Sequence, residues 1–319
     1  MSVLRVTDIG SFHIGGHNVS LAGLPPRTLV LTRGAEAQAF SADGDYETGQ
    51  LYAQYVRLAD PKARWPLLLW HGGGMTGTTW ETKPDGHPGW QSWFLRAGHD
   101  VFVSDAVERG RAGWSRYPEI YAEGPHFRSK QECWELFRFG APEAYATRRG
   151  FPGAQFPIDC FDQFAKQVVP RWGMNDAPTQ AAYDALVAKV GPSVIVTHSQ
   201  GGNFGYTAAL HAPGLVRAVI AVEPSGAPDP EGLDLTVLRQ VPHLLVLGDY
   251  LDGNPFWQGI MARVNRYVAA LRAAGSTADV LDLPALGIRG NSHFPMMDRN
   301  SDTVAERVQA WMTRVGLMR

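Results

Sequence analysis

The sequence contains only two cysteines among its 319 residues, Cys133 and Cys160, and their spacing matches no metal site. Two cysteines exclude the dense disulfide framework of a small secreted domain, but one disulfide and two free thiols both stay open. Apolar runs are no longer than a strand, far short of the roughly 20 residues that span a bilayer. Residues 1–16 lack an apolar core followed by a small-residue cleavage site, so we expect a cytoplasmic protein, with secretion or the periplasm as the alternatives.

The sequence also lacks an excess of positive or negative charge. The 29 basic and 31 acidic residues give a formal net charge of −2, and such a balance creates no field that would gather nucleic acid or an anionic membrane. No strand is followed by a glycine-rich phosphate or dinucleotide motif, and the histidines show no metal-ligand spacing. We therefore expect no nucleic acid partner, no metal and no cofactor.

The chain does contain an alternation of short β-rich runs and helical patterns. Strands are predicted at residues 51–58, 66–70, 101–104, 193–197, 218–223, 243–248 and 279–283. Helices are predicted at residues 177–190, 204–211, 255–274 and 300–315. This alternation predicts an α/β fold with a mostly parallel central sheet and helices on both faces. The first fifty residues predict an antiparallel hairpin that precedes the sheet.

Residues 114–172 interrupt this alternation. Thirteen of these 59 residues are aromatic, against 11% in the whole chain. They could form a satellite core under long loops, or a cap inserted after the strand at 101–104 that roofs an apolar cavity. Long loops in compact domains are more often functional than idle, so we favour the cap. We predict one domain over residues 1–319, with 114–172 as an inserted, aromatic-rich cap.

The stretch PSVIVTHSQGG at 192–202 predicts a strand, a sharp turn that carries Ser199, and a helix. A serine on such a nucleophile elbow projects its hydroxyl away from the sheet. Thr197 stands where the G-x-S-x-G pattern has its first glycine. Its side chain leaves less room between the strand and the helix, but it does not forbid the turn. The backbone N–H of Gln200 would lie at the helix N-terminus, where an oxyanion is favoured. The alternative is a serine in an ordinary strand-to-helix loop.

Three further features stand in the order expected of a serine hydrolase. The glycine-rich turn in WHGGGMTGTTW follows a strand, and the N–H of Gly73 or Gly74 would help to form an oxyanion hole. A carboxylate ends each of two later strands, Glu223 in one and Asp249 in the next, and either could hold a histidine. His293 lies between the last strand and the last helix, so the order is serine, acid, histidine.

On these residues the sequence resembles the α/β-hydrolases of the serine esterase and lipase kind. More narrowly, it resembles a small group of bacterial carboxylesterases whose triad acid is a glutamate after the sixth strand. The matching stretches are SFHIGG at 11–16, HGGGMTGTTWETKPDG at 71–86, HSQGG at 198–202, EPSG at 223–226 and NSHFPMMDRN at 291–300. The resemblance implies an α/β-hydrolase fold and a triad of Ser199, His293 and Glu223, with Glu223 favoured over Asp249. It is also consistent with a homodimer.

The expected function is therefore hydrolysis of a small carboxylic ester through an acyl-enzyme, with an oxyanion hole at Gln200 and Gly73 or Gly74. The aromatic-rich cap suggests esters with an apolar or aromatic part. Two alternatives stay open, because one fold hosts many activities. One is an amidase or lactonase with the same triad, and the other is a non-catalytic α/β-hydrolase that binds a ligand.

Overall fold

A computed structural model of the chain describes residues 3–252 and 254–319. The strands of this part are β1 Val6–Leu21, β2 Arg27–Leu29, β3 Gln38–Phe40, β4 Gly44–Leu58, β5 Leu67–Trp70, β6 Val101–Asp105, β7 Ser193–His198, β8 Val216–Val222, β9 His243–Leu247 and β10 Ala278–Asp282. Its α-helices are α1 Thr78–Glu81, α2 Trp90–Ala97, α3 Lys130–Leu136, α4 Phe161–Ala165, α5 Asp176–Val190, α6 Gly201–His211, α7 Pro255–Ala273 and α8 Ser301–Arg314. None of these described helices is long and apolar enough to cross a membrane.

The main sheet has eight strands in the order β1-β4-β6-β5-β7-β8-β9-β10. β1 and β4 form a long antiparallel hairpin, and β4 also pairs antiparallel with β6. Every other neighbouring pair, from β6 to β10, is parallel. The mostly parallel sheet and the N-terminal antiparallel hairpin are thus confirmed. β2 and β3 form a separate two-stranded antiparallel sheet within the hairpin connection.

Side chains of the central strands alternate between two apolar cores, one on each face of the sheet. In β5, Leu67 and Leu69 enter the core that contains α2 and α8, whereas Leu68 and Trp70 enter the core of α5, α6 and α7. Successive residues of a strand point to opposite faces, so strands that are apolar at every position belong where both faces are covered. The predicted layers of helix, sheet and helix follow from this pattern.

The segment 114–172 follows β6 and contains α3, α4 and two turns of 3₁₀ helix, at Pro142–Ala144 and Ile158–Cys160. Most of its buried aromatic side chains pack against one another, as in the stacked rings of Phe139 and Phe156, whose centroids are 3.9 Å apart. These rings are continuous with the core on the α2 and α8 face. The aromatic enrichment of the segment is therefore explained largely by its own packing.

Both cysteines are free thiols. Cys133 is buried on α3, and Cys160 is partly exposed at the end of a 3₁₀ turn. Of the two states that the sequence leaves open, the structure has the reduced one.

Candidate active site

Ser199 lies on the turn between β7 and α6 with φ of 52°, a left-handed backbone conformation that residues other than glycine rarely adopt. The glycines that follow make this turn possible. A Cβ at Gly201 would lie 2.9 Å from the carbonyl oxygen of Trp70, and a Cβ at Gly202 would lie 2.6 Å from Pro224 Cβ. Such strained backbone occurs at functional sites when the surrounding structure enforces it. The turn therefore has the form of a nucleophile elbow.

Thr197 is accommodated by a glycine on the facing helix. A Cβ at Gly205 would lie 2.7 Å from Thr197 Cγ2, closer than real Cβ atoms come. The space that a glycine at position 197 would leave is thus provided by Gly205 on α6. This compensation explains how the elbow tolerates a β-branched residue two positions before Ser199.

Glu223 and His293 form a buried hydrogen-bonded pair. His293 Nδ1 lies 3.0 Å from Glu223 Oε2, and both side chains are 1% exposed. Glu223 follows β8 with φ of 50°, a second left-handed residue at a strand end. Asp249 makes no hydrogen bond or ion pair with His293: its carboxylate accepts the backbone N–H groups of Tyr250 and Gly290 at 2.9 Å each. Of the two acids that the sequence offers, Glu223 is the one next to the imidazole.

Arg138 is a third buried charge in this cluster. Its Nη2 donates to Glu223 Oε2 at 2.7 Å, and its Nε donates to the carbonyl of Asp249 at 2.9 Å. The guanidinium also lies over the ring of Trp257, 4.8 Å from its centroid. Arg138 belongs to the segment 114–172, so that segment contacts the candidate acid directly. The second oxygen, Glu223 Oε1, accepts the N–H of Gly248.

The environment lowers the pKa values of both Glu223 and His293. Burial by itself raises the pKa of Glu223. The charge of Arg138, the hydrogen bond with His293 and the Gly248 N–H outweigh burial and lower the pKa to about 2. Burial lowers the pKa of His293 to about 4, with Glu223 opposing and Arg138 reinforcing the effect. At neutral pH the carboxylate is ionised and the imidazole is neutral. These are the states in which the imidazole accepts a proton from a hydroxyl.

Asp298 holds the loop that carries His293. Its carboxylate accepts the backbone N–H of Ser292 at 2.9 Å, the Ser292 hydroxyl at 2.8 Å and Asn291 Nδ2 at 2.8 Å. Three donors on one buried carboxylate leave the preceding loop few alternative conformations. The position of His293 is thus determined by Glu223 on one side and by this anchored loop on the other.

A cavity of about 220 Å³ joins Ser199 and His293. Its apolar wall consists of Leu136, Phe137, Phe256, Trp257 and Ile260. Gly73, Gln200, Ser225 and three arginines complete the lining. A larger cavity of about 660 Å³ lies elsewhere, beside Lys83 and Arg299, and neither Ser199 nor His293 lines it. Of these two cavities, only the smaller is lined by both Ser199 and His293.

Backbone N–H groups suited to an oxyanion lie beside Ser199. The glycine-rich turn packs on the elbow, because a Cβ at Gly72 would lie 2.9 Å from Ser199 Cβ. Gly73 and Gln200 line the cavity, whereas Gly74 does not. Within the described residues, the N–H groups of Gly73 and Gln200 donate to no protein acceptor. Two unpaired donors beside a serine hydroxyl are what an oxyanion hole requires.

Two further histidines support the backbone around the site. His71 Nδ1 donates to the carbonyl of Gly72 at 2.8 Å, while its Nε2 accepts the N–H of Ala106 at 2.9 Å. His198 Nε2 donates to the carbonyl of His293 at 2.7 Å. Both are fully buried, and burial lowers their pKa values. They are neutral braces of the glycine-rich turn and of the histidine loop.

Comparison with solved structures identifies the family of this arrangement. A structure described as that of a novel bacterial esterase is 32% identical in sequence, with a TM-score of 0.84 over 98% of each chain. The chain belongs to the α/β-hydrolase esterases. The esterase is also 26% identical over 338 aligned residues, 86% of its length and 89% of the relative's, to a probable secreted lipase, phiG, of Fungal sp. (strain ATCC 74256). No protein-family model matches the chain.

These relatives confirm the expected activity at the level of the reaction, so the esterase is a carboxylester hydrolase. The fungal relative is described as secreted, which contrasts with the cytoplasmic location expected for the esterase.

Several residues around this site were not predicted from the sequence. Asp298 lies in the stretch NSHFPMMDRN, and its position five residues after His293 was an available signal. Arg138 carries no local pattern, because its partners Glu223 and Asp249 come from strand ends about a hundred residues away. Residues of this second kind are visible only once the chain is folded.

Proposed function

We propose that the esterase cleaves its substrate through a triad of Ser199, His293 and Glu223 and a covalent acyl-enzyme. The observation that carries this proposal is the 3.0 Å contact between His293 Nδ1 and Glu223 Oε2 beside a cavity that Ser199 also lines. With Nδ1–H donated to the carboxylate, Nε2 of the neutral imidazole is free to accept a proton. The strained backbone of Ser199 supports its role as the nucleophile.

In the first half-reaction, His293 takes the proton of Ser199 as Oγ attacks the ester carbonyl. The oxyanion of the tetrahedral intermediate accepts the N–H groups of Gln200 and Gly73, each of which contributes about 3 kcal/mol to lowering the barrier. We favour Gly73 over Gly74 because only Gly73 lines the cavity. His293 then protonates the leaving alcohol.

In the second half-reaction, water attacks the acyl-enzyme with His293 again as the base. Glu223 keeps the imidazole in one tautomer and stabilises the imidazolium that forms twice in each cycle. The ionised state of Glu223 at neutral pH supports this role, since its pKa is held near 2.

The proposed substrates are small esters with an apolar or aromatic part. The apolar wall, formed by Leu136, Phe137, Phe256, Trp257 and Ile260, supports this proposal, and a cavity of about 220 Å³ favours a compact group over a long acyl chain. We further propose that residues 114–172 act as an inserted cap. Leu136 and Phe137 of this segment reach the cavity, while its other buried aromatic rings stabilise the segment itself.

Hydrolysis of p-nitrophenyl acetate and butyrate tests the reaction, and three variants test the assignment. Ser199→Ala is expected to lower kcat by several orders of magnitude. Glu223→Gln is expected to lower kcat by on the order of 10⁴, as for loss of the carboxylate in other triads. Asp249→Asn is the matched control at the neighbouring strand end. A larger loss in the Asp249 variant than in the Glu223 variant would reverse the acid assignment without affecting the nucleophile.

The proposed partner is the small-molecule ester alone, without nucleic acid. A homodimer and a cytoplasmic location stay predictions, which sedimentation and cell fractionation can test.

A further inference from the structure

The cavity beside Ser199 has an unbalanced charge. Three arginines line it: Arg128 and Arg171 from the segment 114–172, and Arg263 from α7. No aspartate or glutamate is among the described residues that line it. A concave site that is lined by positive charges and has low-dielectric walls concentrates anions. This feature is independent of the apolar wall from which the proposed function takes its substrate.

Two of these arginines have no carboxylate partner. Within residues 3–252 and 254–319, the guanidinium groups of Arg171 and Arg263 make no hydrogen bond or ion pair with the protein. Arg128, in contrast, pairs with Glu132. The charge of Asp176, which does not line the cavity, favours the charged form of Arg171. Asp176 Oδ1 itself accepts a hydrogen bond from Gln200 Nε2 at 3.2 Å. The fork-shaped donors of Arg171 and Arg263 are therefore available to a ligand.

Arg171 is next to the glycine-rich turn. Its Nη1 lies 3.0 Å from the position that a Cβ would take on Gly73, the glycine proposed to hold the oxyanion. Burial lowers the pKa of Arg171, and the charge of Arg128 adds to this effect. Holding cations together in a partly buried site is costly unless an anion joins them. A ligand with negative charge would remove that repulsion.

We infer that the natural substrate is an ester that also carries a carboxylate, which Arg171 and Arg263 bind while the apolar wall holds the rest. This inference rests on the proposed function and names its substrate class. A carboxylate fits because its two oxygens match the parallel donors of a guanidinium group. The substrate is thus an amphipathic acid ester rather than a purely apolar one.

The test compares esters that differ only in charge. On the acyl side, monoethyl succinate is compared with ethyl succinamate, its neutral isostere, and with ethyl butyrate. On the alcohol side, acetoxyacetate is compared with acetoxyacetamide. Release of acid is followed by pH-stat at constant ionic strength. We expect kcat/KM for at least one anionic ester to exceed that of its amide by on the order of tenfold or more, and added salt to reduce the ratio.

Substitutions assign the effect to the cavity. Arg171→Gln and Arg263→Gln are each expected to lower the anion-to-amide ratio of kcat/KM by on the order of tenfold. Arg263→Lys, which keeps the charge, is expected to retain part of the ratio. Arg307→Gln is the matched control, because Arg307 is exposed on α8 and does not line the cavity. It is expected to leave both activities unchanged.

Two results would overturn the inference. One is that neither anionic ester exceeds its amide. The other is that the arginine variants reduce anionic and neutral substrates equally, which would make these side chains aids to the oxyanion instead. Arg263 is exposed, so its substitution tests the inference even if Arg171→Gln fails to fold. Hydrolysis of neutral esters alone would leave the proposed function intact, whereas hydrolysis of none would end both.

Discussion

Replacing Arg138 by glutamine should change the pH dependence of the esterase. Arg138 Nη2 and His293 Nδ1 both bond to Glu223 Oε2, at 2.7 and 3.0 Å, so the guanidinium and the imidazole are close neighbours. The charge of Arg138 opposes protonation of His293, whose pKa is lowered to about 4 with burial as the main cause. Removing that charge makes the imidazolium easier to form.

The geometry gives the size of this effect. Two like unit charges about 6 Å apart repel by roughly 3 kcal/mol at an effective dielectric constant of about 20. At 1.36 kcal/mol for a tenfold change in the protonation equilibrium, this corresponds to about 2 pH units as an upper value. Because the neutral imidazole is the base, kcat/KM rises as the pH passes upward through the pKa of His293. The acid limb of Arg138→Gln should therefore lie about 1 to 2 pH units above that of the unmodified esterase.

The assay is kcat/KM for p-nitrophenyl acetate from about pH 3.5 to 8, with folding monitored by circular dichroism at each pH. Arg138→Lys is the control, because it keeps the charge and should keep the acid limb at low pH. Removing one partner of a buried ion pair also costs about 3–5 kcal/mol of stability. Unfolding in acid would also lower the acid limb, so kcat/KM is divided by the folded fraction that circular dichroism gives at each pH. Coincident acid limbs for Arg138→Gln and the unmodified esterase would refute the electrostatic reasoning.

Three other predictions concern packing at the elbow, the loop that carries His293 and thiol reactivity. Gly205→Ala should lower the free energy of unfolding by about 1–3 kcal/mol in urea titrations, because its methyl overlaps the side chain of Thr197. The double variant that also carries Thr197→Gly should recover most of the loss. No recovery would show that the strain lies elsewhere. Asp298→Ala should lower the free energy of unfolding by about 1–3 kcal/mol, since it leaves buried donors of the loop that carries His293 unpaired. It should also lower kcat with little change in KM. An unchanged kcat would mean that the loop holds its position without this anchor. An Ellman titration of the native esterase should detect Cys160 first, and Cys133 only after denaturation, because burial raises the pKa of Cys133 to about 12; two rapid equivalents in the native state would contradict this.

Local patterns in the sequence were sufficient for most of the fold. The strand predicted at 193–197 is Ser193–His198, and the helix predicted at 177–190 is Asp176–Val190. Both boundaries depend on residues that are adjacent in the chain, such as the glycine at the helix end and the β-branched run. The elbow at Ser199 was predictable for the same reason, because a strand, a serine and two glycines are consecutive.

The sequence by itself therefore determined the order of strands and helices, the position of the nucleophile candidate and the class of reaction. Only the tertiary structure decided which acid lies beside His293, since Glu223 and Asp249 follow neighbouring strands and only Glu223 bonds to the imidazole. It alone also brought Arg138 to Glu223 and two unpaired arginines to the cavity. Secondary structure and elbows depend on short-range sterics, whereas charge pairing in a site depends on contacts between segments far apart in the chain.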